Sequence, residues 1–280
     1  MREIPSDKIT ELVEKLCIDA NINLRGDIAR SFEGAYNREK TDTAKSIIGQ
    51  LIENAKIARE EKIPVCQDTG MAVIFAEIGQ DVHITGGDLA AAINEGVRRG
   101  YRNGYLRKSV VADPIERINT ADNTPAVIYF SIVPGNEVKI TAAPKGFGSE
   151  NKSAVKMLIP SDGIEGVKKF VTDTVRLAGS DACPPLIVGV GVGGTMDYAA
   201  LLAKQALKRE IESRNENPFW AETELELLRD INSLNIGPAG FGGETTALKV
   251  NIETYPTHIA ALPVAVNIGC HATRHSQGVL

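Results

Sequence analysis

The chain has 280 residues, 43% of them hydrophobic and 24% charged, with a formal net charge of -5. This length allows a substantial core; no apolar run is long enough to span a bilayer and no charged-then-apolar leader opens the sequence, so a soluble, cytoplasmic protein without a membrane partner is expected. The acidic balance argues against a nucleic-acid partner, because phosphate backbones are gripped by clustered Lys and Arg, yet it permits a small acid held by a few local cations.

Between Ile4 and about Arg59, apolar residues recur at helical spacing, as in Ile9, Leu12, Val13 and Leu16, and predict two to four amphipathic helices. Thr41-Asp42-Thr43 supplies N-cap chemistry for a helix from Ala44 to Glu60, striped by Ile47, Ile48, Leu51, Ile52 and Ala55. The turn-prone run Ile63-Pro64-Val65-Cys66-Gln67-Asp68-Thr69-Gly70 then feeds a predicted strand from Met71 to Ile78, and Asp88 is placed to cap a helix reaching about Asn103. Residues 125–133 and 137–143 are β-branched runs joined by Pro134-Gly135-Asn136, which predicts an antiparallel hairpin. A glycine-broken loop from Lys145 to Lys152 follows, with a backbone able to approach a ligand closely.

The second half reads as a buried strand over 185–192, a helix over 196–213 and an acidic helix over 221–234. The loop Gly237 to Gly243 holds four glycines, and closing strands are predicted over 249–255 and 259–268. No repeat, low-complexity tract or linker interrupts the pattern. Residues 1–280 are therefore expected to form a single α+β domain, with amphipathic N-terminal helices and mixed β-sheets surrounded by helices.

Gly189-Val190-Gly191-Val192-Gly193-Gly194 follows strand-like residues and precedes a helix, the outline of a dinucleotide fingerprint. The second βα unit is missing: the position where an acidic ribose ligand belongs falls near Glu210, in a polar helix with no intervening strand, so nucleotide binding is set aside. Of the four cysteines, Cys17 lies by the helical stripe of Val13, Leu16 and Ala20 and reads as core. Cys66, Cys183 and Cys270 lack the close spacing of a metal knuckle, but each sits at a turn or strand end: before Gln67-Asp68, before Pro184-Pro185, and between Gly269 and His271. Three thiolates from such distant segments are able to hold three irons of a cubane cluster and leave the fourth open to substrate.

The segments Val65 to Gly70, Lys145 to Lys152, Gly194-Thr195-Met196-Asp197-Tyr198, Gly237 to Thr246 and Cys270-His271-Ala272-Thr273-Arg274-His275 resemble those of class I fumarate hydratases and the related L-tartrate dehydratases. The likeness runs over nearly the whole chain and covers only the family's N-terminal part, which implies the α subunit of the two-subunit form. By that resemblance Cys66, Cys183 and Cys270 match the ligands of a [4Fe-4S] cluster with one iron free of protein. Gln67, Asp68 and Arg107 match positions that touch substrate, the loop around Gly148 offers backbone donors to a carboxylate, and His258 matches a histidine that pairs with the motif aspartate in proton handling. Without the resemblance, the residues around Leu106 favour none of Arg102, Arg107 and Lys108 as a carboxylate clamp. His83, His271 and His275 are read as structural, the last two ordering the loop around Cys270.

The implied activity is reversible hydration of fumarate to L-malate, with a β subunit supplying the catalytic base and further groups for the dicarboxylate. The alternatives are the α subunit of an L-tartrate dehydratase, separated by one substrate hydroxyl, or a non-catalytic iron-sulfur scaffold. The last would normally need a fourth protein ligand, which Cys17 supplies only if its helix packs against the site.

Overall fold

The N-terminal apolar stripe resolves into three helices in the computed structural model, which describes all residues from Met1 to Leu280. In chain order the elements are β1 (Arg2–Pro5), α1 (Ser6–Ile22), α2 (Gly26–Arg38), α3 (Asp42–Glu61), β2 (Val73–Gly79), β3 (Val82–Thr85), α4 (Leu89–Asn103), β4 (Val127–Val133) and β5 (Val138–Ala142). There follow α5 (Phe147–Glu150), β6 (Ala154–Leu158), α6 (Gly163–Ala178), β7 (Leu186–Gly194), α7 (Met196–Ala206), α8 (Pro218–Ser233), β8 (Ala247–Thr257), β9 (Leu262–Gly269) and β10 (Ser276–Val279). The fold is α+β, with N-terminal helices and mixed sheets flanked by helices, as the sequence predicts. No helix is long and apolar enough to cross a membrane. The residues group into two compact units, one of Met1–Arg25, Ala55–Phe147 and Arg274–Leu280, the other of Gly26–Asn54 and Gly148–Thr273.

Both predicted caps form. Thr41 Oγ1 accepts from the Ala44 amide at 3.2 Å, and Asp88 Oδ1 accepts from the Ala91 amide at 2.7 Å, each satisfying a donor that the first helical turn cannot. In the first unit α1 and α4 cover a four-stranded sheet of order β10-β5-β2-β4; Ile9, Val13 and Leu16 meet Ile93 and Val97 and the inward residues Ile74, Ala76, Ile140 and Ala142. The two helices approach closely because Gly96 and Gly100 lie on the facing stripe of α4. A Cβ on Gly96 would lie 2.6 Å from Val13 Cβ, and one on Gly100 2.9 Å from Cys17 Cβ. Cys17 is thereby sealed in the core, where burial pushes its thiol pKa up to about 12.

The hairpin expected over 125–143 does not form. β2 lies between β4 and β5, parallel to the first and antiparallel to the second. The Pro134-Gly135-Asn136 turn instead spans the end of β2, whose Gly79, Gln80 and Asp81 amides donate to the carbonyls of Glu137, Val133 and Gly135 at 2.8, 2.8 and 2.9 Å. A short polar turn is compatible with either arrangement; the long-range pairing of β2 decides between them, and no local signal reports it.

The second unit is built on a sheet of order β6-β9-β7-β8. Period-two alternation along β7 sends Val188, Val190 and Val192 toward α6 and α8, where they join Val167, Val171, Val175, Leu227 and Ile231. The alternate residues Gly189 and Gly191 face α7, and their missing side chains let the helix backbone lie directly on the strand. A Cβ at Gly189 would stand 2.1 Å from the Ala203 carbonyl oxygen, and one at Gly191 2.0 Å from that of Ala199. The glycine run therefore serves close helix-on-sheet packing. The helix expected to reach residue 213 stops at Ala206, whose carbonyl accepts from Asn251 Nδ2 at 3.0 Å.

Candidate active site

In the first unit, the loop Cys66 to Gly70 is fixed from several sides. Asp68 Oδ1 accepts from the Gly70 amide at 3.0 Å and Oδ2 from the Phe147 amide at 2.9 Å, so both carboxylate oxygens are oriented by backbone. Glycine beside the second bond avoids a tight contact: a Cβ on Gly146 would sit 3.1 Å from Asp68 Oδ2. The Asp68 carbonyl accepts from the buried Arg274 Nη2. Beneath the loop, the fully buried Tyr101 hydroxyl is 2.9 Å from both the Thr69 and Gly70 carbonyls, and Asn123 Nδ2 donates to Gly70 O at 3.2 Å. Burial pushes the Tyr101 phenol well above its ordinary range, which keeps it a neutral donor.

Thr69 connects this loop to the predicted clamp. Its hydroxyl accepts from the Arg107 amide at 2.9 Å and faces the Arg107 carbonyl at 3.2 Å. Of the three basic candidates in this stretch, Arg107 is the one whose backbone is tied to the motif loop, and its side chain is exposed. Cys66 is half-buried, with its Sγ 3.5 Å from the Oε1 of the adjacent Gln67.

In the second unit, Cys183 and Cys270 stand on neighbouring loops. Cys183 ends a short 3₁₀ turn with its backbone in the left-handed region (φ 56°), which costs a residue with a Cβ about 1 kcal/mol or more. Its amide donates to Ser180 O at 3.0 Å, and its carbonyl accepts from the His271 amide at 3.1 Å, with His271 Nδ1 3.2 Å away. The residue after Cys270 is thus bonded to Cys183 and links the two loops. Cys270 O accepts from both Thr273 N (2.9 Å) and Thr273 Oγ1 (2.7 Å); a Cβ on Gly269 would stand 2.2 Å from that hydroxyl, which accounts for glycine there. His275, in the first unit, has Nδ1 3.2 Å from Arg25 Nη1.

Gly237 to Gly243 packs against protein. Gly240 (φ 84°) has space for no Cβ, which would lie 2.3 Å from Ser180 Cβ, and Ala239 N donates to Pro184 O at 2.9 Å, so this loop buttresses the Cys183 turn. Gly148, exposed on α5, has room for a Cβ, which would make an ordinary contact with Asp181 O at 3.6 Å. His258 is exposed after β8; its Nδ1 accepts from Ala260 N at 3.2 Å, which puts the neutral ring's proton on Nε2.

Cys66 and Cys270 are half-buried and Cys183 is exposed, so each of these thiols is open to a soft ligand of the kind thiolates bind, whereas Cys17 is sealed in the core and is not. Cys183 and Cys270 share one bonded loop system, whereas no group of three or more His, Cys, Asp and Glu side chains is gathered as a metal-binding set. The sequence reading passed over Tyr101, Asn123 and Arg274, which hold the motif loop. Arg274 was within a recognised segment, but a tyrosine on an apolar helical face and an asparagine in a polar turn carry no local mark of such a role.

The family described as Fumarate hydratase (Fumerase) matches residues 10–279. A putative L(+)-tartrate dehydratase subunit alpha from Methanocaldococcus jannaschii is 44% identical over 275 residues, 96% of each chain. L(+)-tartrate dehydratase subunit alpha from Escherichia coli (strain K12) and from Shigella boydii serotype 4 are each 32% identical over 278 residues, 98% of this chain and 90% of theirs. With an α+β scaffold and a match of this extent, the chain belongs to the class I fumarate hydratase and L-tartrate dehydratase family of hydro-lyases, in its α-subunit form.

Proposed function

We propose that the chain, acting over residues 1–280 as one catalytic α subunit, removes water from L(+)-tartrate in partnership with a β subunit. The observation that carries this reading is the 44% identity, along nearly all of both chains, to a putative tartrate dehydratase α subunit, reinforced by the 32% relatives of the same name. Hydration of fumarate to L-malate is the second reading, favoured by the description of the matching family. Both reactions cross the same C2–C3 bond of a four-carbon dicarboxylate and differ by one hydroxyl.

In this mechanism Cys66, Cys183 and Cys270 hold a [4Fe-4S] cluster, which when bound supplies a Lewis-acidic iron for a substrate hydroxyl and its carboxylate. Arg107 binds a substrate carboxylate through charge-assisted hydrogen bonds, and its tie to Thr69 keeps that clamp in register with Gln67 and Asp68. The exposed backbone around Gly148 donates to a carboxylate oxygen. Asp68 and His258 share the proton that leaves with the hydroxyl; Asp68 receives its geometry from the Gly70 and Phe147 amides, and His258 offers Nε2. The β subunit contributes the base that takes the C3 proton. The test is kcat/KM of the assembled enzyme on L(+)-tartrate and on L-malate: a clear preference for tartrate is expected, and a preference for malate would exchange the two readings.

A further inference from the structure

We infer that Glu150 is a positioning residue, fixing the loop that carries Gly148 to the strand that runs into Cys270; its relevance to catalysis rests on the reading above. Glu150 Oε1 accepts from Lys204 Nζ at 2.6 Å, and Oε2 accepts from Asn267 Nδ2 at 2.7 Å. Asn267 Nδ2 also donates to Ser153 Oγ at 3.0 Å, and the same hydroxyl accepts from the Ile268 amide at 3.0 Å. One side chain two residues after Gly148 is thus bonded to one three residues before Cys270, and Ser153 closes a second link at the start of β6.

The setting argues that this network specifies geometry. Glu150, Ser153, Lys204 and Asn267 line a cavity of 220 Å³ whose remaining walls include Ala154, Ala200, Ala203 and Ala265. The Lys204 and Glu150 side chains are only 16% and 25% exposed, and Asn267 is 6% exposed with a buried Oδ1 that has no partner. Apolar side chains would fill a pocket otherwise walled by alanine and valine without the desolvation that an ion pair and an unsatisfied amide oxygen incur. What the polar set provides and apolar packing does not is directional registry between α5, α7 and β9. A second link, Lys152 Nζ to Asp181 Oδ2 at 2.7 Å, runs from the same loop to the turn before Cys183, but Asp181 is 66% exposed, and solvent-exposed pairs hold geometry weakly. The buried arm is therefore the effective one.

The experiment measures alkylation of each cysteine by N-ethylmaleimide, followed by mass spectrometry, on the full chain purified without metal. Cys17, sealed in the core, reports global opening. Glu150→Ala and Asn267→Ala are expected to raise the Cys270 rate about fivefold or more through local opening, with Cys17 and Cys66 changed less than about twofold. Glu150→Gln, whose amide still accepts from Asn267 but loses its charge pairing with Lys204, is expected to fall between, and Lys152→Ala to leave Cys183 within about twofold. In the assembled enzyme Asn267→Ala should raise KM for the dicarboxylate while the melting temperature stays near that of the parent. Unchanged Cys270 reactivity in Glu150→Ala and Asn267→Ala would overturn the inference, as would a rise shared by all four cysteines in Glu150→Gln, which would mark Glu150 as a stability residue. Because alkylation needs no turnover, absence of dehydratase activity would sink the functional reading without affecting this result.

Discussion

The alternation of valine and glycine along β7 makes a quantitative demand at Gly191. A methyl group there would stand 2.0 Å from the Ala199 carbonyl oxygen, 2.7 Å from the Ala203 amide nitrogen and 2.8 Å from Leu202 Cβ. Ordinary Cβ contacts begin near 3.4 Å, so Gly191→Ala requires α7 to lift from the sheet by roughly 1.4 Å. Two of the opposing atoms are backbone, so no rotamer change relieves the clash, and the lift also opens the packing of Ala199 and Ala203 on Ala265. Overpacking of this kind costs about 3 kcal/mol or more, a large part of a typical stability of about 5–15 kcal/mol. The expected outcome is a lower urea midpoint and a melting temperature reduced by about 6–12 °C, read by circular dichroism. Gly148→Ala, where the added Cβ makes only an ordinary 3.6 Å contact, should leave both near the parent value and serves as the control. A Gly191→Ala protein as stable as its parent would refute the close-packing account of this motif and return it to ligand binding.

Other substitutions test the site. Cys66→Ser, Cys183→Ser and Cys270→Ser should each abolish iron retention after anaerobic reconstitution, because serine oxygen is a harder donor and three thiolates leave no spare; Cys17→Ser should retain it, and a full iron complement in any of the first three would remove that cysteine from the ligand set. Asp68→Asn keeps the shape of the side chain while losing its proton-transfer capacity, so kcat should fall about 100- to 10,000-fold with the iron content intact; His258→Asn should do the same, and the double variant should be little worse than the poorer single one if the two act as a unit. Tyr101→Phe removes the hydroxyl beneath the motif loop and leaves the Thr69 carbonyl without that donor, a loss of about 1–3 kcal/mol visible in chemical denaturation; unchanged stability and turnover would show that Asn123 and Arg274 suffice to hold the loop.

What could be read in advance follows the range of the forces involved. Helix caps and amphipathic stripes are local, so Thr41, Asp88 and the N-terminal helices were legible in the sequence. β1 and β10 are each four residues long and acquire their identity only from partners far along the chain, β3 and β5, and neither was predicted. α6, with an amphipathic run from Gly163 to Ala178, carried a local signal that went unread. The hairpin failed for a non-local reason, the insertion of β2. At the candidate site, the proposed functional residues lie in short motifs, whereas the groups that hold the motif loop carry no such mark: Tyr101 and Asn123 reach it by hydrogen bonds across 31 and 53 residues of chain. Glycine content alone does not tell the Gly148 loop from the Gly237 to Gly243 loop; the geometry separates Gly240, whose Cβ would press 2.3 Å against Ser180 Cβ, from Gly148, whose Cβ would make an ordinary 3.6 Å contact with Asp181 O.

The central claim, that this chain is one half of a hydro-lyase site for a small dicarboxylate, is tested most directly by anaerobic reconstitution of the chain with its β subunit. Oxaloacetate formation from L(+)-tartrate and fumarate formation from L-malate are then followed with each subunit alone and with both. Dehydration that requires both subunits, with tartrate the better substrate, is the predicted result. Failure of the iron-loaded assembly to dehydrate either acid, or full activity of this chain by itself, would contradict the account.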